Sequence, residues 1–182
     1  MAGKRTIWTI LMLLLGSMSL LTAQVITDYY RIDGIRYVRS QEEVMYEDYF
    51  HGARFAVAAM ADASGAVSYT LEVTYDEGML QVSQGDSLTL VLRGGDKVIL
   101  KTISDIKRDD ILKRHFKARN YYYVTCRYAM STYDVQRISR NRVTKMSAQA
   151  GDYTFDRKLD KFQDRFRRQL TAVYQHLNRD KR

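Results

Sequence analysis

The chain contains no proline and a single cysteine, Cys126. One cysteine cannot make an intramolecular disulfide, so in an oxidising compartment the fold must be held by its core. Without proline, turns must come from glycine, aspartate, asparagine and serine, and no X–Pro isomerisation delays folding. Histidine is scarce too. His51, His115 and His176 fall in three separate segments, so a catalytic or metal cluster would need tertiary convergence. No stretch matches HExxH, GxSxG, GxGxxG, the phosphate-binding P-loop, CxxC or the EF-hand loop. These absences remove the familiar hydrolase, dinucleotide and metal signatures. No residue is nominated as catalytic, metal-ligating or cofactor-binding, no cofactor is implied, and there is no specific nucleic-acid signal. Cys126 lies between Thr125 and Arg127 in phase with Val124 and Tyr128. It reads as a buried apolar thiol rather than a nucleophile.

What is present begins with an export pattern. Lys4 and Arg5 precede an apolar run from Ile7 to Leu21, and Thr22-Ala23-Gln24 follows. That is a charged n-region, an apolar h-region and a small residue at the cut. The run is short for a membrane span of ~20 residues. Residues 1–23 are therefore expected to be a signal peptide, leaving 24–182 as one β-rich domain in the periplasm or outside the cell. No cysteine lies near the cut, which argues against a lipoprotein anchor, and no transmembrane segment is expected after signal removal. The run ending Leu21-Thr22-Ala23-Gln24 resembles the export signals of Bacteroidota, as in their small secreted β-rich proteins. That resemblance implies a compartment and no activity.

Charge is unevenly placed. Residues 24–156 hold eighteen basic and eighteen acidic side chains, while 157–182 hold nine basic and three acidic ones. The body is formally neutral and the positive charge sits at the C-terminus.

The segment Asp86–Ile103 organises the rest. A three-residue loop Arg93-Gly94-Gly95 puts Gly95 where a left-handed backbone is needed. That register sets Leu90 opposite Val98 and Leu88 opposite Leu100; an even loop would set Leu92 against Lys97. A hairpin with one apolar face and one partly apolar face belongs well inside a sheet. Tyr29–Val38 is a second hairpin about Asp33-Gly34, with Ile32 opposite Ile35, Tyr30 opposite Tyr37, and Arg31 and Arg36 on a face predicted to be wet. Gln41–His51 reads as a short helix or a loop. Arg54–Ala61 and Val67–Tyr75 read as strands, the second with one dry and one wet face. Met79–Ser83 is a further short strand. Ser104–Asn120 is expected to be a surface excursion with one helical turn near Ile111–Phe116. Tyr121–Met130 is an aromatic strand. Thr132–Arg140 is a short helix capped at Ser131 or Thr132, with Asp134 in its first turn. Arg142–Gln149 and Tyr153–Phe155 form a last pair of strands.

The end is a helix over about 157–178. Leu159, Phe162, Phe166, Leu170, Val173 and Leu177 make one apolar stripe. At 1.5 Å per residue it is a rod of roughly 30 Å, assigned here as the cover for the dry face of the Leu88–Leu100 hairpin. The predicted class is α+β: an antiparallel twisted sheet or sandwich of roughly seven to ten strands, covered by this long amphipathic helix, with a barrel-like sheet as the alternative.

Two features suggest contact with other molecules. Arg165, Arg167 and Arg168 concentrate positive charge on the last helix, where phosphates or anionic lipid could bind. Tyr121 and Tyr123 lie in a tyrosine-rich strand, and exposed tyrosine beside arginine stacks on sugars or peptides. These five residues are the candidate binding surface. The expectation is an exported, non-enzymatic binding or interaction module meeting an envelope protein or an anionic envelope component. The alternative is a small periplasmic hydrolase with a site assembled from dispersed polar residues.

Overall fold

A computed structural model describes residues 25–47, 51–76, 82–103, 111–116 and 119–178; within 111–122 it describes the backbone alone. The segments before Val25, including the expected signal peptide, and Met79–Gln81 of one expected strand lie outside the described residues. Among the described residues there are eleven strands and two helices: β1 (Ile26–Ile32), β2 (Ile35–Ser40), β3 (Glu43–Glu47), β4 (Gly52–Ala61), β5 (Val67–Tyr75), β6 (Ser87–Leu92), β7 (Lys97–Thr102), β8 (Ile111–Phe116), β9 (Arg119–Met130), α1 (Thr132–Arg140), β10 (Val143–Ala150), β11 (Tyr153–Lys158) and α2 (Phe162–Asn178). All strand pairs are antiparallel, in the order β1-β2-β4-β5-β9-β7-β6-β10-β11, with β3 also on β4 and β8 also on β9. The protein is thus mostly one antiparallel sheet with a C-terminal helix.

The β6–β7 hairpin has the expected register. Leu90 faces Val98 and Leu88 faces Leu100, Leu92 N–H donates to the Asp96 carbonyl at 2.7 Å, and Gly95 takes φ 96°. It lies inside the sheet, between β9 and β10, and its four inward leucines and valine are buried. The β1–β2 turn at Asp33-Gly34 pairs Ile32 with Ile35 and Tyr30 with Tyr37, both turn residues taking positive φ as a two-residue hairpin of this hand requires. Ser131 caps α1 in a reciprocal capping box with Asp134.

The sheet is not closed by hydrogen bonds; β1 and β11 are its ends. It nevertheless curls. Phe155 of β11 meets Tyr75 of β5 edge-on with ring centroids 5.7 Å apart, although β9, β7, β6 and β10 lie between those strands in the sheet. Arg157 of β11 sits 5.7 Å over the ring of Tyr46 in β3. The right-handed twist of antiparallel strands, accumulated over that many pairs, brings the ends round.

Several expectations are corrected. Glu43–Glu47 is a strand, not a helix or loop, because it pairs along β4. Ile111–Phe116 is a strand on β9, not a helical turn, and Val82-Ser83 is outside any strand. The helix starts at Phe162, not near 157, since β11 extends to Lys158 along β10. It does not cover the Leu88–Leu100 hairpin. It lies across β4, β2 and β3, with the Phe162 ring tilted against that of Phe55, centroids 4.8 Å apart. An apolar stripe does not specify which apolar face it meets, and here it meets the side of β4 that carries the buried Phe55, Val57 and Ala59. The first hairpin is turned over in part. Arg36 of the arginine face meets the helix, its Nη1 donating to the Leu177 carbonyl at 2.6 Å, while Arg31 is exposed as expected and Ile32 is 60% exposed. The wet face of β5 is also partly dry: Glu72 is buried because Arg39 Nε, at 2.6 Å, and Arg127 Nε, at 3.2 Å, both donate to its carboxylate.

Candidate functional site

The last helix positions its arginines by geometry alone. At ~100° per residue, Arg165 and Arg168 share a side and Arg167 points away from them. The fold meets each side differently. Arg168 makes a two-armed contact with Glu43 of β3, Nη2 lying 2.6 Å from Oε1 and 2.5 Å from Oε2. That bond raises the Arg168 pKa above its ordinary value. Arg165 donates to the Val44 carbonyl and stands 4.0 Å from Glu43. Two of the three arginines are therefore held against β3. Arg167, exposed, donates through Nε to the Ser139 carbonyl at the end of α1.

On that second side a depression of about 590 Å³ opens where three turns meet. Arg167 and Lys161 come from the start of α2, Arg140 and Arg142 from the end of α1, and Arg93 from the tip of the β6–β7 hairpin. Asp160 and Asp164 also line it. The walls are fixed to one another. Arg93 N–H donates to the Arg142 carbonyl at 2.7 Å. Gln163, buried in the floor, donates through Nε2 to the Ile138 carbonyl and, at 2.9 Å, to that of Ser139. Among the described residues no ion pair joins Arg93, Arg140, Arg142, Lys161 or Arg167 to a carboxylate.

Tyr123 goes elsewhere. It is half-buried and lines a smaller depression of about 160 Å³ with Glu42, Glu47, Arg54, Thr74 and Asp76. The Tyr121 side chain lies outside the described residues; its backbone pairs with Arg114. Tyr123 is thus not among the residues that line the depression around Arg167. Arg93, Arg140, Arg142 and Lys161 were missed from the sequence because each is an ordinary turn or helix-end cation there.

Cys126 and two tyrosines beside it are internal. Cys126 is 3% exposed. Beside it the hydroxyls of Tyr75 and Tyr128 are 3.1 Å apart, and burial pushes both phenols well above the ordinary tyrosine range. His176 packs edge-on against Tyr29 at 6.4 Å. Among the described residues no group of three or more His, Cys, Asp or Glu could hold a metal ion, and no helix is long and apolar enough to cross a membrane. Comparison with protein-family models, with curated proteins and with solved structures finds no match to this chain.

Proposed function

We propose that the protein is an exported, non-enzymatic binding module of the cell envelope, and that it meets an anionic partner at the depression between α1, α2 and the β6–β7 tip. The observation that carries this reading is the gathering of Arg93, Arg140, Arg142, Lys161 and Arg167 without an ion-pair partner among the described residues. Like charges held together repel, and the surrounding fold supplies only Asp160 and Asp164 nearby; an anion relieves that repulsion and gains charge-assisted hydrogen bonds. Export rests on the Lys4–Ala23 pattern. On the same reading the curled sheet works as a sandwich and α2 as its amphipathic cover, supported by the Tyr75–Phe155 contact and by the burial of Phe162, Phe166, Val173 and Leu177.

The test uses inorganic polyphosphate as the probe. The parent should bind it at low salt and release it progressively as ionic strength rises, because exposed charges are screened over about 10 Å at 0.1 M. Arg93→Gln, Arg140→Gln and Arg142→Gln combined should abolish binding and leave the thermal melt unchanged. Binding that survives the triple change, or is absent from the parent at every salt concentration, sinks the reading.

A further inference from the structure

We infer that the ligand of this depression is a phosphorylated sugar, its phosphate monoester gripped by the arginines and Lys161 and its hydroxyls received by Asp160 and Asp164. The inference rests on the anion-binding reading and narrows it. Three observations carry it. First, four of the five cations are arginines, whose planar forks match phosphate oxygens in pairs, whereas ammonium groups act as point charges. Second, Asp160 and Asp164 stand exposed in the same wall, with no ion pair of their own among the described residues. Against a bare polyanion they only offset part of the attraction of the five cations. A ligand carrying hydroxyls beside its phosphate uses them, because an ionised carboxylate only accepts hydrogen bonds. Third, the space, about 590 Å³, falls in the ~300–1,000 Å³ range of small-molecule sites and exceeds what phosphate alone would fill.

In the floor, Gln163 is 8% exposed and its Nε2 is committed to two carbonyls, while its Oε1 has no donor among the described residues. That Oε1 is itself closed off from the depression, so Gln163 serves the site by fixing its wall. Because the Arg93–Arg142 and Gln163 hydrogen bonds already tie the three turns together, little ordering is left for the moment of binding.

Titration calorimetry of the full chain with four probes tests this: glucose 6-phosphate, inorganic phosphate, glucose and phosphoethanolamine. Glucose 6-phosphate should bind at least tenfold more tightly than inorganic phosphate, and glucose alone should not bind. The double change Asp160→Asn and Asp164→Asn should erase that preference while keeping or strengthening phosphate binding. Arg140→Gln with Arg142→Gln should remove both, with an unaltered circular-dichroism melt confirming an intact fold. Equal affinity for glucose 6-phosphate and inorganic phosphate overturns the inference. So does a preference that survives the aspartate changes, or one for phosphoethanolamine, which would make the carboxylates an ammonium site. Polyphosphate binding without any hexose phosphate binding overturns the sugar assignment and leaves the anion-binding reading standing. Failure of every anion removes that reading as well.

Discussion

Glu43 decides which arginines of α2 remain available. By taking Arg168 in a two-armed contact and standing near Arg165, it binds that side of the helix to β3. Arg168 stays well exposed, so the pair is screened by solvent and Glu43→Gln should lower stability by only about 0.2–1 kcal/mol in a denaturant melt. The same change should increase polyphosphate retention, because Arg168 is released; unchanged retention would show that this side plays no part. A second residue-scale test concerns tyrosine. Burial first, and the Glu72 charge second, push Tyr37 up to about 12 from 10.0, and burial holds Tyr75 and Tyr128 well above 10.0. A raised phenol keeps its proton in the folded state after the unfolded chain has lost it. Stability is then full below about pH 10 and falls as pH rises from 10 toward 12. Absorbance titration at about pH 11 should find fewer phenolates in the native protein than in urea; equal counts would contradict the burial of these rings. Cys126 should resist thiol reagents until denaturant is added.

Individual elements were legible where the signal was local. The loop length fixed the β6–β7 register because a one-residue slip would have buried Lys97. The α1 cap was readable because Ser131 and Asp134 are three apart. β3 was not, since Glu43–Glu47 is polar and acidic and becomes a strand only through its partners Gly52–Phe55. β8 failed for the same reason: a charged segment is drawn into a ladder by the long strand β9. The C-terminal helix was legible as a helix, but its target was not, because an apolar face does not name its partner. Leu90 is fully buried, so Leu90→Ala should cost ~2–5 kcal/mol, and a loss below ~1 kcal/mol would contradict the hairpin's central place. Phe162, packed against Phe55 with tilted rings, makes the matching prediction for the helix. Phe162→Ala should cost ~3–5 kcal/mol and expose the β4 face to hydrophobic dyes, with the β6–β7 side remaining dark.

At the scale of the whole molecule, the curl of the sheet explains why the basic depression could not be read from the chain. Arg93, Arg140, Arg142 and Lys161 come together only because the hairpin tip and both helix ends reach the same end of the sheet. The neutral body inferred from charge counting hid this, since neutrality summed over a segment says nothing about where its cations go. Glu72, by contrast, shows acids and bases compensating on the outer face, between Arg39 and Arg127.

The sheet order also has a consequence for how the chain reaches its native state. β5 does not pair with the strand that follows it; its partner is β9, and the hydroxyls of Tyr75 and Tyr128 that meet across that seam are 53 residues apart in sequence. The strands β1 to β5 can zip together locally, and β6 with β7 can do the same. Neither half can complete its hydrogen bonding until β9 arrives between them. Closing so long a loop precedes any reward from the contacts it makes, so assembly should be slow for the size of the domain, on the order of milliseconds to seconds. With no proline in the chain, a slow refolding phase should not respond to a prolyl isomerase. Weakening the seam, for instance by Val73→Ala, should reveal through stopped-flow refolding whether β9 docking sets the rate. Until it docks, the facing margins of β5 and β7 are open to strands of neighbouring chains, and yield on refolding should fall as protein concentration rises.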